Sequence, residues 1–398
     1  MRHGRVQLRK LRTLAAAAAA LGAAAALAWS PTTAQAAGAA TTFHAIPPVD
    51  PGSAQLEGAS LKSAADAWAV GVRYLNADTV IATLAERWNG TSWQVTPTVD
   101  PTGNVDVLSG VADVSPANAW AVGYSQTSTG EPTALIQHWN GSGWSRVPGG
   151  TSPTSSAETL NAVAAVSATD VWAVGEHFDS TAGGFVGLIE HFNGTAWSIV
   201  PNPDTYTSQG IEHGISGYNS VVAISSSDVW VATKEGVETA VVEHWNGSAW
   251  SVIPTPPLAV FNGQAVNGVA VNALAATSSS DVWAVGGTVG FGRRPPRNQL
   301  IEHWDGKSWS IVPAPSGTGT TTTTPQALSS VTALSATDAW ALGYQPGTAL
   351  PAFQHWDGTA WNNVAVPNVS GVLSQLSSAP TGALIAVGGI QALLSTNA

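Results

Sequence analysis

The chain has 398 residues, 44% of them hydrophobic, 10% charged and none of them cysteine. The missing cysteine excludes disulfides, thiolate metal sites, cysteine nucleophiles and a lipid-bearing cysteine anchor. The formal net charge of −11 has the wrong sign for collecting nucleic acid or an anionic membrane surface.

Residues 1–36 read as an export signal. Arg2, Arg5, Arg9, Lys10 and Arg12 form a basic head, Leu14 to Ala28 an alanine-rich apolar run, and Ala34-Gln35-Ala36 a small-residue cleavage site. The run is too short for a spanning helix and nothing later resembles one. The expected product is a secreted, extracellular monomer without membrane insertion, cut near Ala36. Cleavage would leave nine basic against 25 acidic residues, a net charge of −16.

From residue 54 onward one unit recurs six times. Its clearest copy runs from Leu160 through Asp170-Val-Trp172-Ala-Val-Gly175, then through Leu188 to His191-Phe192-Asn-Gly-Thr-Ala-Trp197, and ends at Pro201. The first tryptophan of the unit recurs at Trp68, Trp120, Trp172, Trp230, Trp283 and Trp340. The aromatic before the Asn-Gly or Asp-Gly turn recurs at Trp88, Trp139, Phe192, Trp245, Trp304 and Trp356, and the one after it at Trp93, Trp144, Trp197, Trp250, Trp309 and Trp361. Every tryptophan but Trp29 falls in this lattice, so the rings are a packing device first. Each unit parses into four short antiparallel strands, a to d, with a tight Ser-x-x-Asp turn between a and b and an Asn-Gly hairpin between c and d.

The tail repeats the pattern without a last strand. Val372 to Ser377 resembles strand a, Ala383 to Gly388 strand b, and Ala392 to Ser395 strand c. Thr42-Phe43-His-Ala-Ile46-Pro47 matches Ala196-Trp197-Ser-Ile-Val200-Pro201 position for position, so the segment after the signal is expected to supply the missing strand d and remove an open edge. The resulting expectation is an all-β, seven-bladed β-propeller in a single domain over 37–398. Its blades fall near 54–101, 102–152, 153–205, 206–257, 258–316, 317–368, and 369–398 plus 41–50. A six-bladed ring with a loose tail is the alternative.

The Ser-x-x-Asp-x-Trp-Ala-Val-Gly segment and the Trp-Asn-Gly-Thr-Ser-Trp hairpin at Trp88 to Trp93 resemble the bacterial propeller repeats of the photosystem II assembly-factor type. They are also similar, more loosely, to the Asp-box repeats of sialidases. That resemblance implies a propeller whose repeat residues build the blades and whose function sits on loops. The full Asp-box is absent, and the scattered arginines do not suit a carboxylate clamp.

No Gly-x-Ser-x-Gly, His-Glu-x-x-His or phosphate-loop motif occurs, so no catalytic residue, metal or cofactor is assigned. His138, His191, His244, His303 and His355, with Arg87 in the first repeat, occupy one fixed place and read as structural. Asp66, Asp170, Asp228, Asp281 and Asp338, with Asn118 in the second repeat, read as turn formers. Asp100, Asn104 and Asp106 have no standard calcium spacing.

The b–c and d–a connections vary and share one face, where binding residues usually reside. Candidate ligand-binding residues there are His177, Asp179, Tyr206, Glu212, His213, Phe261, Phe291, Arg293, Arg294 and Arg297. This mixture of aromatics, acids, histidines and arginines suits a glycan or an extracellular protein. Three functions follow: a non-catalytic binding module, an extracellular carbohydrate-active hydrolase or lyase with His177 or His213 as base, and an assembly or chaperone-like scaffold.

Overall fold

The computed structural model describes residues 34–35, 41–46 and most of 54–397. Residues 1–33, 36–40, 47–53, 76–79, 152–154, 204, 209–210, 235–238, 259, 262–263, 291–296, 316–326, 345–349, 367–371, 390 and 398 lie outside the description. The described residues are strands and turns throughout, and among them no helix is long and apolar enough to cross a membrane.

Each of the six repeats forms a four-stranded antiparallel meander. Strands a to d are Ala54–Ser63, Asp66–Leu75, Val80–Trp88 and Trp93–Val95 in sheet 1, and Val105–Ser115, Asn118–Gln126, Thr133–Trp139 and Trp144–Val147 in sheet 2. Sheet 3 uses Ser155–Ser167, Asp170–Asp179, Gly184–Phe192 and Trp197–Ile199. Sheet 4 uses Tyr218–Ser225, Asp228–Thr233, Val242–Trp245 and Trp250–Ile253. Sheet 5 uses Gln264–Ser278, Asp281–Gly290, Arg297–Trp304 and Trp309–Ile311. Sheet 6 uses Leu328–Ser335, Asp338–Tyr344, Pro351–Trp356 and Trp361–Val364.

The tail and the N-terminal segment share a further sheet, sheet 7. Its strands a to c are Gln375–Ser378, Leu384–Gly388 and Gln391–Asn397, and Thr41–Ile46 lies beside strand c as strand d, with Phe43 opposite Ser395 and Ala45 opposite Leu393. Phe43 is fully buried and packs on Trp340 and Phe353 of sheet 6, centroids 5.8 and 5.1 Å apart. A two-residue strand, Ala34–Gln35, pairs outside it.

The core is a relay of rings between neighbouring sheets. The strand-b tryptophan of one sheet meets the strand-d aromatic of the next: Trp68 with Trp144, Trp120 with Trp197, Trp172 with Trp250, Trp230 with Trp309 and Trp283 with Trp361, all at 5.0–5.8 Å. Edge-to-face pairs of this kind add to the burial of large apolar area. Trp88 and Trp93 of sheet 1 share a core cluster with Ile385 and Val387 of sheet 7. Strand a of each sheet touches strand a of its neighbours, sheet 7 touching both sheet 6 and sheet 1. Between strands a of sheets 1 and 2, a Cβ on Gly58 would stand 2.9 Å from Gly110 Cα.

Three local features depart from the sequence reading. The c–d hairpins carry four-residue loops, because Phe192 is the last residue paired with Trp197. The asparagine caps the turn instead of centring it: Asn193 Oδ1 accepts the backbone N–H of Thr195 and Ala196, and Gly194 takes φ 90°. Sheets 1 and 2 are not separate, since Ile81 and Val105 form one parallel pair that joins them into an eight-stranded sheet. The connection at 201–217, read as loop, contains a hairpin of Thr205–Ser208 and Ile211–Gly214.

Candidate functional site

The recurring polar residues at the hairpin end of the sheets act together. His191, His244, His303 and His355 each place Nε2 within 2.6–3.0 Å of the aspartate that starts strand b: Asp170, Asp228, Asp281 and Asp338. In sheet 1 Arg87 makes the same bond to Asp66 at 3.1 Å. Each imidazole also lies on its sheet's tryptophan, as His191 does on Trp172 at 4.1 Å. The aspartates are therefore holders of the histidine, beyond the turn role read from sequence. Burial would raise Asp281, but the bonds from His303 and Thr277 outweigh it and hold the carboxyl below its usual range. In sheet 2 Asn118 replaces the acid, His138 Nε2 is buried without a partner, and burial pushes that imidazole down. The strand-c indoles finish this end by donating to turn carbonyls, as Trp88 does to Ala64 at 2.9 Å.

One residue before Arg87 and before each of the five histidines stands a fully buried acid or amide: Glu86, Gln137, Glu190, Glu243, Glu302 and Gln354. Sequence reading missed this row, although its recurrence beside the histidines marks it. Gln137 exchanges two bonds with the backbone of Val99, and Glu190 accepts the N–H of Gly150 at 2.6 Å. In the next two connections a proline, Pro203 and Pro256, takes the matching place and has no N–H to give. Glu243 instead accepts from the Tyr218 hydroxyl at 2.6 Å. Both carboxyl oxygens of Glu302 are buried without a partner, and burial pushes this group up to about 8.

At the opposite end, where the b–c and d–a connections lie, each sheet is different. Asp179 is used by its own turn, accepting from Thr181 and Ala182. His177 is 8% exposed, opposite Glu158 and Val186, with Nδ1 buried and unpartnered. Tyr206 and His213 are cross-strand partners in the 205–214 hairpin and stack at 5.2 Å, Tyr206 being buried. Glu212 accepts from Thr205 at 2.7 Å. Phe261 packs on the cluster around Leu258 and Val266. Arg297 opens strand c of sheet 5, while Phe291, Arg293 and Arg294 lie outside the described residues. The structure thus joins Tyr206 to His213 and Glu212 to its hairpin partner, and leaves His177 in the body of its sheet. Asp100 and Asp106 tie their own connection, to Thr83 and to Thr102 and Gly103. Among the described residues no group of three His, Asp or Glu is arranged to hold a metal ion.

A cavity of about 360 Å³ is lined by the first strands of all seven sheets. The sheets are stitched around it by side chains of those strands. Asn161, Asn219 and Asn272 donate to the carbonyls of Tyr218, Val271 and Leu328 in the next sheet, and Ser330 accepts the N–H of Leu376.

No protein-family model matches the chain, and no curated protein matches it. Solved structures do. The chain is similar to YCF48 bound to D1 peptide, at TM-score 0.55 and 14% identity over 94% of this chain and 99% of that one. It is similar to the WD40 β-propeller domain of Doa1, at 0.50 and 11% over 93% and 98%. The chain is a β-propeller repeat protein. A third propeller-like match, the GH74 xyloglucanase from Xanthomonas campestris, has TM-score 0.51 and 14% identity over 87% of this chain and 52% of that one. These likenesses carry the fold of the propeller; at such identities activity does not travel with it.

Proposed function

We propose that the chain is an exported, seven-bladed propeller that binds a protein or glycan on its loop face without transforming it. The observation that carries this reading is the contrast between the two ends of the blades. One end repeats the same Asp–His–Trp set; the other varies from blade to blade on the same scaffold, as a binding surface does. The blade count is supported by seven first strands around one cavity and by Phe43 in the place of a strand-d tryptophan. In this reading cleavage near Ala36 removes the Ala34–Gln35 strand and leaves Thr41–Ile46 outermost, in a single domain over 37–398.

Protein partners are favoured over glycans because the aromatic and acidic side chains at 205–213 are tied into a hairpin. Immobilised mature protein should retain a defined partner in pull-downs or a glycan class on an array. Blank results in both would remove the reading. Mass analysis of the product in culture medium tests the cleavage site.

A carbohydrate-active hydrolase or lyase is the second reading, favoured by the likeness to the GH74 fold and by the unpartnered Nδ1 of His177. Reducing-end assays on polysaccharides decide it. Turnover lost in His177→Gln or His213→Gln would replace the binding reading with this one.

A further inference from the structure

The loop end of blades 1 and 2 is built differently from the rest. Ile81 donates its N–H to the Asn104 carbonyl at 2.7 Å, closing the parallel pair that joins the two blades. Beneath it Val72, Ile81 and Val107 form a buried apolar patch, with Tyr74, Val105 and Tyr124 packed on it. The connection from blade 1 to blade 2 is fastened by Asp100 to Thr83 at 2.8 Å and by Gln137 to Val99, so this floor is rigid.

In strand a of each of blades 1 to 6 the register against strand b slips by one residue at a bulge. A bulge re-aims its side chain. The bulged residues are Glu57, Ser109, Asn161, Asn219, Asn272 and Ser329, and Glu57 alone is ionisable. Gln55 Nε2 donates to Glu57 Oε1 at 3.4 Å, and the Tyr74 hydroxyl donates to Gln55 Oε1 at 3.3 Å. The Tyr124 phenol is held above its usual range by burial and then by the nearness of Glu57 and Tyr74. All four residues are intermediate in burial, so the group keeps some contact with solvent.

Among the described residues no cation pairs with Glu57, and burial pushes its carboxyl up to about 7. Across the face, in blades 3 and 4, Glu176 has its cation in the chain, Lys234 at 2.7 Å. A partly dehydrated carboxylate near two tyrosines that pack on an apolar patch complements a cation on an aliphatic stem. The carboxylate offsets the charge, the ring faces attract it, and the floor covers the methylenes.

We infer that the cluster of Gln55, Glu57, Tyr74 and Tyr124 takes an arginine or lysine side chain of a bound peptide. The inference rests on the loop face being the partner-binding surface. The acidic mature chain would steer such a basic segment toward it.

The test uses the full mature protein at pH 8 and capped glycine pentapeptides whose central residue is arginine, lysine, citrulline or glutamate, titrated by calorimetry or NMR. Arginine and lysine peptides should bind saturably, and citrulline and glutamate peptides at least about tenfold more weakly. Glu57→Gln should lose that preference while unfolding at the same temperature or higher, and Glu176→Gln should keep it. Equal binding of the arginine and citrulline peptides, or equal binding by wild type and Glu57→Gln, overturns the inference. A captured partner that Glu57→Gln still holds fully overturns the role of this cluster but leaves the wider binding reading standing. Blank captures alongside intact arginine-peptide binding overturn the wider reading alone.

Discussion

The two ends of the blades are built from the same strands and treat their polar groups in opposite ways. At the hairpin end an aspartate, a histidine and an indole hold one another in four of the first six blades, with arginine standing in for the histidine in blade 1. Those groups serve the scaffold. At the loop end Glu176 meets Lys234, Tyr206 stacks on His213, and Glu57, bonded to Gln55 beside Tyr74, has no cation among the described residues. A repeat is kept where every copy has the same mechanical task, and is free to diverge where the strands only have to end. The comparison also explains why recurring histidines in a propeller are poor catalytic candidates, while a residue that breaks the repeat deserves a functional test.

Breaking the hairpin end at its core should have the largest effect. Trp172 is 1% exposed and lies against Trp245 and Trp250 of the next blade. Trp172→Ala should cost about 3–5 kcal/mol in chemical denaturation. A cost below about 1 kcal/mol would mean that the ring relay between blades is wrong.

Next is Glu302, the buried acid whose partner position is taken by proline. A carboxyl raised in the folded protein binds its proton more tightly there than in the unfolded chain. Its contribution is whole below the ordinary carboxyl value of 4.5 and is lost as pH climbs to about 8. Glu57, Asp113 and Glu190 are raised by burial as well and act in the same sense. Stability should therefore fall from pH 5 to pH 8, and Glu302→Gln should flatten the profile and gain about 1–3 kcal/mol at pH 8. Thermal melts across that range check it; a profile unchanged in the variant would show that the group is solvated.

Asp228 accepts from both His244 and the Trp230 indole, at 2.8 and 2.9 Å. Asp228→Ala should cost about 1–2 kcal/mol by leaving a buried N–H unmet. The mildest change sharpens the comparison from the other side. Asn118→Asp would give His138 the partner that its counterparts have, and should stabilise blade 2 by up to about 1 kcal/mol, more at pH 6 than at pH 8.

Much of this fold was legible because tryptophan is rare and its period is rigid. A ring placed every fifty residues marks strand b, and flanking rings mark the c–d hairpin. Phe43 was legible for the same reason, by matching a strand-d sequence. The His–Asp pairing was not, because partners about 16–22 residues apart in chain each looked like a local turn or cap. Glu57 was hidden too. It stands at a bulge, where the alternation that predicts a facing side chain fails. The candidates between His177 and Arg297 rest on composition. Composition does not say that Asp179 serves its own turn or that Tyr206 is buried under its hairpin.

The central claim is that the strand Thr41–Ile46 completes the last blade. The chain has no native cysteine to interfere, and Thr42 lies directly opposite Thr396 in the strand pair. Paired Cα atoms in antiparallel strands are within disulfide reach. Thr42→Cys combined with Thr396→Cys should cross-link within one chain on mild oxidation and raise the melting temperature, reversibly on reduction. Cross-linking only between chains, or none at all while the protein stays folded, would contradict the closure of the last blade by residues 41–46.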